Sequence, residues 1–116
     1  KTMFLYNGFR MAGPLDELIV VEGFPSVWWL HQCGRPQVVA LMGADCSDQQ
    51  ADSIVSLVKE TGRVWIMPDG DEAGLRAATA VLVKVAPHRL IRWVKLPSGF
   101  QPTNLSAEQL KMCFTL

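Results

Sequence analysis

The sequence predicts an α/β fold built on a mainly parallel sheet. Three observations carry that expectation. Leu18-Ile19-Val20-Val21 and Val38-Val39-Ala40-Leu41-Met42 are unbroken apolar runs, as strands buried on both faces require. Segments with helical spacing separate these runs, which implies βαβ units. A third run, Val64 to Met67, stops at Asp69-Gly70-Asp71, and a helical pattern begins at once. Right-handed crossovers would then bring the carboxyl ends of the strands to one edge, where open α/β sheets hold charged ligands.

Taken in order, Met3 to Tyr6 reads as an added strand or as linker. Glu22-Gly23 ends the strand 18–21, and the helix from Phe24 to Cys33 is stopped by Gly34. After the second strand, 38–42, Gly43 to Cys46 forms a turn. Ser47 with Gln50 makes a capping box. Ala51, Ile54, Val55 and Val58 continue at helical spacing until Gly62 ends the helix. The helix after Asp71 places Gly74, Ala78, Val81, Leu82 and Val85 on one face, and Pro87 closes it. Leu90 to Leu96, interrupted by Arg92 and Lys95, suits a sheet-edge strand. A second capping box, Ser106 to Gln109, opens a last short helix.

The 116 residues suit one domain with one core, and 49% hydrophobic against 19% charged content is that of a globular chain. Lys+Arg and Asp+Glu balance at 11 each, which argues against a self-sufficient duplex clamp. The apolar runs are too short to span a bilayer, and the first residues lack a signal-peptide pattern, so no membrane role and a cytoplasmic location are expected. Cys33, Cys46 and Cys113 match neither a zinc knuckle nor a disulfide framework.

The shared edge gathers Glu22 with Asp69 and Asp71. Carboxylates that converge repel one another unless cations offset them, and their hard oxygens suit Mg²⁺, which keeps several waters and binds phosphate oxygens. Glu22 could share a second metal or move a proton. That is the chemistry of phosphoryl or nucleotidyl transfer. The residues alone leave a second reading open: Asp-Gly-Asp is a common turn, Asp71 is a plausible helix N-cap, and Glu22 can be a solvated loop residue. Gly23 and Gly70 would allow tight turns or close ligand approach. Asp45 lies near the same edge, as a solvated residue or an added acid. Arg76 either pairs with Glu72 four residues back or contacts phosphate.

For the aromatic residues, Trp65 and Trp93 read as core. Trp28 and Trp29 point about 100° apart on one helix, so at most one faces the sheet squarely and the other reads as a contact for a further domain of a longer protein. His31 reads as helix surface and His88 as loop. Lys84, Arg89, Arg92 and Lys95 read as a solvated face more than a nucleic-acid track.

Val20-Val21-Glu22-Gly23, then Val38-Val39-Ala40-Leu41, then Asp69-Gly70-Asp71-Glu72-Ala73-Gly74 with Ala77-Ala78 resembles the TOPRIM domain. Leu5-Tyr6-Asn7, Leu30-His31-Gln32-Cys33-Gly34 and Leu96-Pro97-Ser98-Gly99 bring the likeness to bacterial-type (DnaG-like) DNA primases. The resemblance implies a Rossmann-like TOPRIM fold with a four-stranded sheet, a TOPRIM core over 18–100, a linker or extra strand over 1–17 and a C-terminal segment with a short helix over 101–116. It implies Mg²⁺-dependent (Mn²⁺ substituting) nucleotidyl transfer on nucleic acid in DNA replication, with Glu22 as the catalytic and metal-binding glutamate and Asp69 and Asp71 as the metal pair. Asp45, Gly23, Gly70 and Arg76 would be accessory. Nucleoside triphosphates, DNA or RNA, and other primase domains or a helicase would be partners through a full-length protein. Isolated, the domain is not expected to prime. A TOPRIM nuclease, or a non-catalytic TOPRIM module that binds nucleic acid or a partner, are the alternatives.

The pattern also departs from that family. Ser26 stands where primases usually have an aspartate, Gln101-Pro102-Thr103 where they have Asp-Pro-Asp, and Gly43-Ala44 where Gly-Thr is frequent. The poorer acidic set implies fewer or more weakly bound metal ions. Of the upstream basic residues that complete such a site, Arg10 is the candidate.

Overall fold

The computed structural model describes residues 4–115. Four strands form one parallel sheet: β1 (Leu15–Val21), β2 (Val38–Ala40), β3 (Val58–Ile66) and β4 (Leu90–Trp93), in the order β2-β1-β3-β4. Helices α1 (Phe24–Gln32), α2 (Asp48–Leu57), α3 (Glu72–Val85) and α4 (Ala107–Cys113) cover its two faces. Side chains alternate along each strand, so Leu18 and Val20 join the core with Ile54, Ala78 and Val81 of α2 and α3. Ile19 and Val21 join the opposite core with Val27 and Leu30 of α1 and Leu110 of α4. Cover on both faces explains why these strands are apolar throughout. Among the described residues, no helix is long and apolar enough to cross a membrane.

Several boundaries differ from the sequence reading. Strand β1 starts at Leu15, three residues early, because its polar start is stabilised across the sheet: Asp16 meets Lys59 at 2.9 Å and Glu17 meets Arg63 at 3.2 Å. Helix α2 ends at Leu57, and Gly62 lies inside β3 instead of closing the helix. The reason is a bulge between β1 and β3, where Leu15 pairs with Val58 but Glu17 already pairs with Arg63. A Cβ on Gly62 would fall 2.8 Å from the Asp16 carbonyl oxygen and 2.9 Å from that of Leu15, so close backbone approach explains the glycine. Strands β2 and β4 are shorter than the apolar runs, ending at Ala40 and Trp93. Of the N-terminal segment, Tyr6 makes a single antiparallel bridge to Ala40, and Met3 lies outside the described residues.

Two lysine and arginine positions read as solvated are structural. Lys84 Nζ donates to the Cys46 carbonyl (2.6 Å) and pairs with Asp48 (3.1 Å), fastening α3 to the start of α2. Arg89 Nε donates to the Val58 carbonyl (3.0 Å) at the head of β3. Trp65 is buried as expected, its Nε1 bonded to Glu17 (2.8 Å). His31 and His88 are exposed.

Gln50 ties the exit of β2 to its surroundings. Its Nε2 donates to the carbonyls of Phe4 and Leu41, each at 2.9 Å, and its Oε1 accepts from Ser47 N–H at 3.0 Å. The side chain is fully buried. Gln50→Leu should therefore destabilise the fold by about 2–4 kcal/mol, because it strands several buried polar groups at once. Urea denaturation will show this as a lower midpoint with an unchanged slope.

Candidate metal-binding and catalytic site

Glu22 follows β1 directly, and Asp69 follows β3 after Met67 and Pro68, with Asp71 two residues further on. Because β1 and β3 are adjacent and parallel, their exits lie side by side. Glu22 is pinned twice. Its backbone carbonyl accepts from Met42 N–H (2.7 Å) beyond β2, and its Oε2 accepts from Asp69 N–H (2.7 Å) beyond β3. The structure therefore brings Glu22, Asp69 and Asp71 to one rim.

The electrostatics carry the mark of that convergence. The Glu22 carboxyl is raised above its ordinary value, first by burial and then by the charges of Asp69 and Asp71; the Asp69 amide and Arg76 pull in the other direction without prevailing. Asp69 is raised too, by burial and by Asp71. Arg76 thus acts on Glu22, and no Arg76–Glu72 ion pair forms among the described residues. Asp71 is the N-cap of α3: its Oδ1 accepts from Gly74 N–H (2.7 Å), as the turn reading required. Capping occupies one oxygen and leaves the other.

Asp45 is not drawn into this group. Its Oδ1 accepts from Cys46 N–H (2.8 Å), and its charge acts on Lys84. Gly23 is the extended residue before α1, with φ −127°. Gly70 is held at close quarters: its N–H donates to the Phe100 carbonyl (2.7 Å) and its carbonyl accepts from Gly99 N–H (2.8 Å). A Cβ at Gly70 would overlap the Pro97 carbonyl oxygen, and one at Gly74 would overlap that of Asp69. The sequence reading singles out Leu96-Pro97-Ser98-Gly99 only for its family likeness and does not foresee that 97–100 clasps Gly70; Gly99, at φ +82°, marks the turn that does so. A cavity of about 360 Å³ opens beside the clasp, lined by Asp69, Asp71, Leu75, Trp93 and Lys95 among others.

Residues 16–92 match the family described as the Toprim domain. The chain belongs to the Toprim family. It is similar to the DNA primase of Staphylococcus aureus, with 36% identity over 99% of this chain and 19% of the relative. It is similar to the DNA primase of Escherichia coli, with 35% identity over 95% of this chain and 19% of the relative. Among solved structures, a DnaG primase catalytic domain bound to ssDNA superposes with a TM-score of 0.77 at 27% identity, covering 94% of this chain and 37% of that one. The chain therefore is a Toprim domain of the DnaG primase type and spans about a fifth of the length of these relatives.

Toprim domains generally bind divalent metal ions. Whether these side chains suit such an ion rests on their chemistry: oxygen donors only, with the Glu22 and Asp69 carboxyls raised above their ordinary values by burial first and by neighbouring carboxylate charge after it, on a half-buried rim. They fit a hard cation that retains part of its water shell. Among the described residues no group of three or more His, Cys, Asp or Glu side chains is arranged to hold a metal ion, so an ion held by this rim would need water or substrate oxygens beside the carboxylates. Ser26, at the primase aspartate position, lies on the buried face of α1, and Gln101 is spent on a turn, its N–H bonded to Asn104 Oδ1 (2.7 Å). Neither restores the acids that the sequence lacks.

A pH dependence follows for metal-free protein. The folded chain keeps protons on Glu22 and Asp69 at pH values where the unfolded chain has released them. Stability therefore falls as pH rises from the ordinary carboxylate range to the raised folded values, and is flat above them. Below the ordinary range both states are protonated and the two groups contribute nothing. Asp69→Asn removes its share of that penalty. With EDTA present, circular-dichroism melts should place Asp69→Asn above the parent at pH 7, with the gap closing in acid.

Proposed function

We propose that this domain binds Mg²⁺, with Mn²⁺ able to substitute, through Asp69 and Asp71, and that Glu22 assists nucleotidyl transfer to a nucleic-acid chain within a longer, cytoplasmic primase. The carrying observation is the Glu22 carboxylate fixed 2.7 Å from the Asp69 amide, on a rim where burial and like charge raise both acids. When bound, the ion supplies charge for the phosphate oxygens and alignment for an in-line displacement.

The chain's own residues do the rest. Asp69 and Asp71 present oxygens from a loop held rigid by the Gly70 clasp. Glu22, held through Oε2, has its other oxygen to accept a proton from an attacking hydroxyl, and its raised affinity for protons suits a general base. Nucleoside triphosphates and a nucleic-acid template would be the substrates, and other primase domains and a helicase the partners. The relatives named above are primases and do not favour the nuclease or non-catalytic alternatives.

In the full-length protein, Asp69→Asn and Asp71→Asn should each lower primer synthesis by on the order of a thousand-fold, as loss of a phosphate-charge partner does. The Asp71→Asn melting curve should stay close to that of the parent, since an asparagine at 71 still caps α3, and Asp69→Asn should be no less stable than the parent. Asp71→Ala should cost about 1 kcal/mol of stability in addition. Full priming activity in Asp69→Asn would refute the assignment.

A further inference from the structure

Helix α1, which starts two residues after Glu22, carries a surface that the proposed chemistry does not use. Trp28 is 59% exposed and Phe24 39% exposed, although both belong to a helix that packs on the sheet. Their rings stand 4.9 Å apart with planes tilted by 58°, and Tyr6 meets Phe24 at 6.0 Å, tilted by 51°. Trp28 Nε1 donates to the Tyr6 hydroxyl (2.9 Å), which fixes the indole plane from outside its own helix. Trp29, the adjacent indole, is turned inward and bonded to the Leu105 carbonyl (2.8 Å), so the outward setting of Trp28 is not forced by want of an alternative anchor. Beside this cluster is a hollow of about 420 Å³, lined by Tyr6, Arg10, Trp28, His31 and side-chain amides. None of its lining residues is a carboxylate.

We infer that the Tyr6–Phe24–Trp28 cluster is a stacking platform for the bases of single-stranded nucleic acid, with Arg10 and His31 beside the hollow serving its phosphates. The inference rests on the proposed function and extends it to where the strand runs. Phe24 is two residues from Glu22, so a strand with a phosphate at the Glu22–Asp69 rim passes over the platform within a nucleotide or two. Rigid, exposed aromatic faces held in place before binding are what sequence-tolerant base stacking needs. The charge of the lining is what favours nucleic acid: the hollow sets aromatic rings beside the Arg10 guanidinium, the His31 imidazole and side-chain amides, with no carboxylate to repel a phosphate. With equal numbers of acidic and basic residues in the chain, stacking must carry affinity that bulk charge does not supply.

The test uses a fluorescein-labelled oligothymidylate and this chain in EDTA buffer, so that the carboxylate rim and its metal play no part. Anisotropy should report binding by the parent. Trp28→Ala should bind roughly ten-fold or more weakly, the size of one lost base stack, and Phe24→Leu should also weaken it. Trp28→Phe, which keeps a ring, should restore most of the affinity while losing the tryptophan quenching. Circular dichroism should be unchanged, because the Trp28 side chain is largely in solvent. Equal affinity in parent and Trp28→Ala, or no binding by the parent, overturns the inference and leaves the cluster as a protein-docking surface. Mn²⁺ titration of the same proteins judges the metal site separately, so failure of the platform and failure of the site are distinguishable.

Discussion

The amide of Asp69 donates to the carboxylate of Glu22 across the exits of two adjacent parallel strands, and most of the site depends on that bond. It joins residues 47 apart in sequence. Only the β2-β1-β3-β4 order, with β1 and β3 as neighbours, brings them together. Five influences compete at Glu22. The backbone donor favours the anion, and so does Arg76, while burial and two like charges oppose it. Burial comes first, so the carboxyl is raised in spite of its hydrogen bond. An arrangement that holds an acid in place while making its charge costly favours a cation at that spot.

The loop that carries the aspartates is set by steric exclusion as much as by attraction. Gly70 and Gly74 lie where any side chain would overlap the carbonyls of Pro97 and Asp69. Two hydrogen bonds from 97–100 close over Gly70, and Asp71 caps α3 with one oxygen while the other stays available. One residue thus starts the helix and faces the rim. This resolves the two readings of Asp-Gly-Asp: it is a capped turn, and it also presents acids to Glu22.

Features that depend on neighbouring sequence were readable. The apolar runs of β1 and β3, both capping boxes and the acidic residues at strand exits were all local patterns. What escaped was set by distant backbone. The polar start of β1 is stabilised by Lys59 and Arg63 across the sheet, so it carries no apolar signature. Gly62 looked like a helix stop and is instead the bulge residue that lets β3 approach β1. Lys84 looked solvated because its partner, the Cys46 carbonyl, has no side-chain signal at all. Of the two adjacent tryptophans, spacing said that one must turn outward; the Leu105 carbonyl decided which.

The outward tryptophan lies on α1, which starts directly after Glu22-Gly23, and the proposed base platform and the proposed phosphate site thus share that turn. The central claim remains the convergence of Glu22, Asp69 and Asp71 on a shared cation. Crystals of this chain soaked in Mn²⁺ and measured at the manganese absorption edge test it most directly. The account predicts an anomalous peak between Glu22 and the Asp69–Asp71 loop, completed by water. A saturating soak that leaves this rim without a peak, or places manganese elsewhere on the domain, would contradict it.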